Sequence, residues 1–159
     1  AIQLAHVAAA EADLAIRYGK GDWPDVQATR LMPEVLSPVC SPAFKASRQH
    51  NGALLMATSH RPFEWTDWSG HYQVDLSPHP RVVLHDYNIV VEAAVAGQGI
   101  AMGRHRLIER RLQDGSLVEA FDWPPYRSEI GYWLIAPQGP ASAAAECFSA
   151  WLKAACADA

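Results

Sequence analysis

The 159-residue chain lacks the short signatures of the common catalytic sites. It has no Gly-x-Ser-x-Gly elbow, no Ser-x-x-Lys pair and no Gly-x-x-x-x-Gly-Lys loop, which excludes hydrolases and nucleotide-binding enzymes of those designs. It has no Cys-x-x-Cys, and no two of its seven histidines stand four apart, so the usual metal-ligand spacings are missing. Its three cysteines, Cys40, Cys147 and Cys156, are too few and odd in number for a disulfide framework. A reducing cytoplasm is the simplest reading. Positive charge is also short: 13 basic against 17 acidic residues give a formal net charge of −4. That balance argues against a domain whose main surface grips a nucleic-acid backbone. No apolar run nears the roughly 20 residues that span a bilayer. The start, Ala1 to Glu11, has neither the basic front nor the long apolar stretch of a signal peptide. With no initiating Met, the chain reads as a fragment that opens in the strand-like run Ile2 to Val7.

What is present suits a folded domain, or two small lobes: 50% of residues are apolar and 19% charged. Asp13 to Tyr18 reads as a mostly buried strand ended by Gly19 and Gly21. Two extended runs follow, Val26 to Met32 and Glu34 to Cys40, broken by Pro33. Pro38 marks the second as an edge strand or crossing segment, because proline removes a ladder donor. Ser41 and Pro42 form a helix start of the Ser-cap, Pro-first kind, with a helix to about Arg48. Asn51-Gly52 signals a turn. The apolar run Ala53 to Thr58 leads into the polar loop Ser59-His60-Arg61, and Pro62 opens a helix bearing Phe63, Trp65 and Trp68. Arg81 to His85 is a short strand after the stiff loop Ser77 to Pro80. Asp86 caps a helix over Tyr87 to Ala96, closed by Gly97 and Gly99 as left-handed caps. Then come a strand Ile100 to Met102, a helix Arg104 to Leu112 with Leu107, Ile108 and Leu112 inward, and a strand Ser116 to Phe121. A final strand, Glu129 to Ala136, precedes a helix from Ala141 to about Ala157, with Phe148, Trp151 and Leu152 on one stripe. Strands alternating with helices predict an α/β protein with partly parallel sheets.

Each candidate for chemistry has a structural counterpart. Cys40 sits in a strand with nothing beside it to activate a thiolate. His60, His71, His79 and His85 fall in loops or strand ends and read as solvated or singly hydrogen-bonded. Gly97-Gln98-Gly99 follows a helix instead of a strand, the wrong order for a phosphate loop. Arg104-His105-Arg106 with Arg110 and Arg111 reads as a solvated helix face. The Asp86 helix start either docks a ligand at its free amides or is capped by Asp86 alone.

Several stretches in order then resemble one family. Glu11-Ala12-Asp13-Leu14-Ala15-Ile16-Arg17-Tyr18-Gly19-Lys20-Gly21-Asp22-Trp23-Pro24 resembles a signature stretch of the LysR-type transcriptional regulators. So do Leu36 to Pro42, Ala93 to Gly103 and Gly131 to Pro137, followed by the last helix. The subgroup it is most similar to holds the glycine-cleavage-operon and β-lactamase-gene activators. The resemblance implies an effector-binding domain of periplasmic-binding-protein type 2-like fold, two Rossmann-like lobes joined by crossing strands. Residues 1–37 with 129–159 would form lobe I, and 38–128 lobe II. The crossing strands would lie near Val35 to Cys40 and Leu117 to Tyr132. The family's first strand and helix, with a Ser- or Thr-bearing loop, find no match here, and the resemblance implies that the DNA-binding domain lies outside this stretch.

By the same resemblance, a small effector sits in the cleft between lobes, lined by Tyr18, Lys20, Trp23, Ser59, His60, Asp86, Tyr87, Met102 and Tyr132. Trp65, Trp68, Trp133 and Trp151 are assigned to core, and Tyr132 and Trp133 to opposite faces of one strand. The effector is expected to be an amino acid or small carboxylate-like molecule. No cofactor, metal, catalytic residue or membrane contact is expected. A homodimer is expected, with tetramers for the full-length protein, and promoter DNA is met only through the missing N-terminal domain. The alternatives are a solute-binding component of a transport system and a small hydrolase on the same lobes.

Overall fold

A computed structural model describes residues 12–47, 52–57 and 63–157, apart from the Phe63 side chain. The expected strand Ile2 to Val7, the turn residue Asn51, and Ser59 and His60 lie outside the described residues. No helix among the described residues is long and apolar enough to cross a membrane. The chain divides into two units, Ala1–Glu34 with Glu129–Ala159, and Val35–Ser128.

The first unit is built on β1 (Ala15–Gly19), the first part of β2 (Val26–Cys40) and the last part of β7 (Tyr126–Pro137). β1 runs antiparallel to β7, from Ala15 opposite Ile135 to Gly19 opposite Gly131. Pro33 does not break β2, which continues through 15 residues. Proline's fixed φ suits extended backbone, so it removes one donor without turning the chain. The last helix, here α5 (Ala143–Ala157), corrects the expected stripe. Phe148 is 44% and Trp151 62% exposed, so Trp151 is not core. The more buried positions are Ala145, Ser149, Leu152 and Cys156, a helical stripe of mostly small residues. Small side chains permit a close approach that the large aromatics would prevent. Trp133 is half-buried, its Nε1 donating to the Gly19 carbonyl at 2.9 Å.

The second unit is an α/β layer structure. The end of β2 lies antiparallel to β5 (Ile100–Arg104), which runs parallel to β3 (Leu54–Ala57), which runs parallel to β4 (Arg81–Leu84). The other side of β2 takes β6 (Val118–Glu119), shorter than the expected Ser116 to Phe121 strand. Pro38 is therefore not on an edge strand. Its carbonyl accepts from the Ala120 amide at 2.8 Å, so its nitrogen also faces the β6 side, just past that strand's two paired residues. The missing donor falls where the ladder ends.

Alternation sorts the side chains into two cores. Leu36, Cys40, Leu54, Ile100 and Met102 pack under Trp65 and Trp68 of α2 (Phe63–Tyr72). Val39, Leu55 and Ala101 face Val90, Ala93 and Ala94 of α3 (Tyr87–Val95) and Ile108 of α4 (His105–Gln113). Leu107, expected inward, is 56% exposed, and Arg104 ends β5 instead of opening a helix. His71, expected in a loop, lies in α2 with its ring stacked 4.3 Å from that of Tyr126. The short α1 (Pro42–Ala46) is capped by Ser41, whose Oγ accepts from the Phe44 amide.

After α3, Gly97 takes φ of +75°, the left-handed cap expected of it. Gly99 has no positive φ and is needed for space, since a Cβ there would lie 2.4 Å from the Ala53 carbonyl oxygen. Gly99→Ala is therefore expected to destabilise the chain by about 1–3 kcal/mol, the range of overpacking. Urea unfolding followed by tryptophan fluorescence checks this, and an unchanged midpoint would refute the close approach.

Candidate functional site

In the first unit, register brings two of the expected residues together. Tyr18 stands opposite Tyr132 in the β1–β7 pair, with ring centroids 5.2 Å apart. Both are half-buried. Trp23 does not join them. Its ring meets Trp133 edge-on at 6.4 Å, with the Arg17 guanidinium 5.4 Å from its centroid. Arg17 and Trp133 are the next cross-strand pair along and so face the other side of the sheet. Lys20 is exposed in the loop between.

In the second unit, the parallel strands β3, β4 and β5 end at Ala57, Leu84 and Arg104, the edge where open α/β sheets hold ligands. Asp86 caps α3: one carboxylate oxygen accepts from the Asn88 amide at 2.9 Å and the Ile89 amide at 3.1 Å. Those amides are thus already satisfied, and a negative charge sits at the helix start. Tyr87 is nearly buried. Its hydroxyl donates to the Met102 carbonyl at 3.2 Å and accepts from the Arg104 amide at 2.8 Å. Those bonds pin the start of α3 to the end of β5. Met102 is 1% exposed and belongs to the core under α2.

The arrangement around Arg104 was not foreseen in the sequence. Arg104 is buried, and both its Nε, at 2.7 Å, and its Nη2 donate to one oxygen of Glu64 on α2. Its guanidinium also lies 4.9 Å from the Tyr87 ring centroid. An arginine closing an otherwise apolar strand, Ile100-Ala101-Met102-Gly103, was the available signal. The basic cluster accordingly does not form one solvated face. Arg104 is buried, His105 is half-buried, Arg111 pairs with Glu92, and Arg106 and Arg110 are exposed.

Ser37, His105 and Glu119 also converge. Ser37 Oγ lies 2.6 Å from His105 Nε2, and Glu119 Oε1 lies 3.4 Å from the same nitrogen. A nucleophile relay needs the serine and the carboxylate on different ring nitrogens, so this trio cannot run one. Burial pushes the Cys40 thiol pKa up against the pull of Lys45, the opposite of an activated thiolate. No group of three His, Cys, Asp or Glu side chains among the described residues could hold a metal ion. At the junction with β7, Asp67 of α2 accepts from Ser128 Oγ and, at 3.4 Å, from the Tyr126 hydroxyl.

Comparison with known proteins agrees with this architecture. The LysR substrate binding domain matches residues 2–157. The chain is 35% identical over 149 residues to the HTH-type transcriptional activator AmpR of Enterobacter cloacae, covering 88% of this chain and 50% of that protein. It is 29% identical over 156 residues to the HTH-type transcriptional regulator DsdC of Escherichia coli, covering 89% and 50%. The chain thus spans about half the length of the curated relatives it matches. Among solved structures, the AmpR effector binding domain from Citrobacter freundii superposes with a TM-score of 0.80 at 29% identity, covering 100% of this chain and 80% of that one.

Proposed function

The chain belongs to the LysR substrate-binding-domain family, and from that premise we propose that it is the effector-sensing part of a transcriptional regulator, working in the cytoplasm by binding and not by catalysis. The named relatives are transcriptional activators and regulators, which favours this reading over a transport component. The non-catalytic reading is supported by the Ser37–His105–Glu119 geometry, which cannot relay a proton between two ring nitrogens. The effector would be an amino acid or small carboxylate-like molecule. Tyr18 and Tyr132 would supply an aromatic wall, the observation that carries the site assignment. Lys20, Asp86, Ser59 and His60 would supply polar anchors. Tyr87 and Met102 would act indirectly, by fixing the end of β5, and Trp23 would brace the opposite sheet face.

Binding would favour one conformation of the domain or one arrangement of paired subunits, and so the placement of DNA-binding segments carried by the whole protein. Couplings of about 1–3 kcal/mol are typical of such switches. The contact between subunits would involve α3, which exposes Ile89, beside β4, which exposes Val82 and Val83. The test is an effector screen by thermal shift, beginning with amino acids and small carboxylates, followed by operator binding by the whole regulator. Tyr132→Phe is expected to weaken effector binding by about 3- to 10-fold, the worth of one hydrogen bond, with unfolding unchanged. Equal titrations of both proteins would remove Tyr132 from the site.

A further inference from the structure

A cavity lies at the other end of the second unit's sheet. It measures about 320 Å³, at the low end of the roughly 300–1,000 Å³ typical of small-molecule sites. Leu54 and Arg81, which line it, are the first residues of β3 and β4 and stand opposite each other in register. It is therefore at the amino ends of β3 and β4, whereas Asp86 follows the carboxyl end of β4. Its apolar lining comes from Leu54, Met56, Trp65 and Leu76. Leu54 is 1% and Trp65 4% exposed, so that part is a fixed wall.

Val74 and the polar residues Thr66, Ser69 and Ser77 add to the lining, together with two opposite charges, Asp75 and Arg81. They make no ion pair with each other or with any other described residue. Asp75 is held in place by Ser77, whose amide donates to one carboxylate oxygen and whose hydroxyl donates to the other, both at 2.8 Å. Those bonds hold the carboxyl below its usual pKa, so it is charged at neutral pH. A simple carboxylate would meet Arg81 favourably and Asp75 unfavourably, and a simple amine the reverse. A ligand carrying both charges satisfies both, and the apolar wall then takes an apolar side chain.

We propose that this cavity is a second ligand site that takes an apolar α-amino acid as its zwitterion, the carboxylate on Arg81, the ammonium on Asp75 and the side chain against Leu54, Met56 and Trp65. The site is separate from the described effector residues proposed above, none of which lines it. Ligand there presses on α2 through Trp65, the residue next to Glu64 that holds Arg104.

The test is calorimetric titration of the 159-residue chain with L-leucine, 4-methylpentanoate and 3-methylbutylamine. The expected result is saturable binding of L-leucine that weakens about tenfold or more in Arg81→Gln and for each ligand lacking one charge, as loss of a charge-assisted bond requires. Tyr132→Phe should leave it unchanged. Arg81 is exposed, so Arg81→Gln should unfold with the parent, and that is checked by thermal denaturation. No saturable binding, or binding indifferent to Arg81→Gln, overturns the proposal. Leucine binding lost in Tyr132→Phe but kept in Arg81→Gln overturns it too, while upholding the effector site.

Discussion

Arg104→Met is expected to lower the unfolding free energy by about 3–5 kcal/mol, the cost of leaving one charge of a buried pair behind. Glu64 would then be a carboxylate at the foot of α2, only 9% exposed and stripped of both guanidinium hydrogen bonds. The Tyr87 ring would lose its cation as well. Glu64→Gln should cost less, because its amide oxygen still accepts from the guanidinium, although the buried Arg104 charge then lacks its counter-charge. The double change Glu64→Leu with Arg104→Met should recover much of the loss, because well-packed apolar replacements of buried pairs are often neutral or better. Urea unfolding of the three variants beside Arg106→Ala, on the exposed face of α4, makes the comparison. If Arg104→Met costs no more than Arg106→Ala, the buried pair contributes nothing and its role is wrongly assigned.

Two tryptophans on helices should respond in opposite ways. Trp68 is fully buried, stacked 6.1 Å from Phe121 and tilted 5.4 Å from Tyr72. Trp68→Ala should therefore cost about 3–5 kcal/mol through lost burial and the cavity left behind. Trp68 Nε1 is buried without a hydrogen-bond partner. Trp68→Phe should be milder than the size change alone suggests, because it removes that unpaired donor. Trp151 is 62% exposed and touches Phe148, itself 44% exposed. Trp151→Ala should stay within about 0.5 kcal/mol of the parent, as exposed substitutions usually do. Equal losses at both positions would show that α5 buries its aromatic side after all.

That contrast shows what sequence carries and what it withholds. Trp65 and Trp68 are legible as core because they sit three apart on a helix with the polar residues Glu64, Thr66, Asp67 and Ser69 around them. On α5 the charged residues Glu146 and Lys153 mark only one face, so among the other positions size is the main cue, and size pointed to the wrong face. Local signals served well. Ser41 before Pro42 and Asp86 before Tyr87 each cap the helix that follows, because a cap is an interaction between near neighbours. The Glu64–Arg104 pair joins residues 40 apart and was invisible for that reason. Of the candidate site, the Tyr18–Tyr132 pairing follows from strand register, which a single sequence does not contain. The misplacement of Trp23 has the same source. Its loop lies next to Tyr18 in sequence, but one step of strand alternation separates their faces.

The division into units bears on the order in which the chain folds. Residues 35–128 are continuous, and their strands pair with one another, so this half can form its sheet from its own segment. The other half is made of two pieces separated by that whole segment. β1 finds its ladder on β7, and so cannot close its hydrogen bonds until residues 131–135 have been synthesised. During synthesis it waits without that ladder, carrying Ile16, 54% exposed even when paired with β7. Long-range pairing of this kind slows folding and leaves open edges to aggregate. Refolding should thus be biphasic, with the continuous half rapid and the closure of β1 on β7 the slow, concentration-sensitive step.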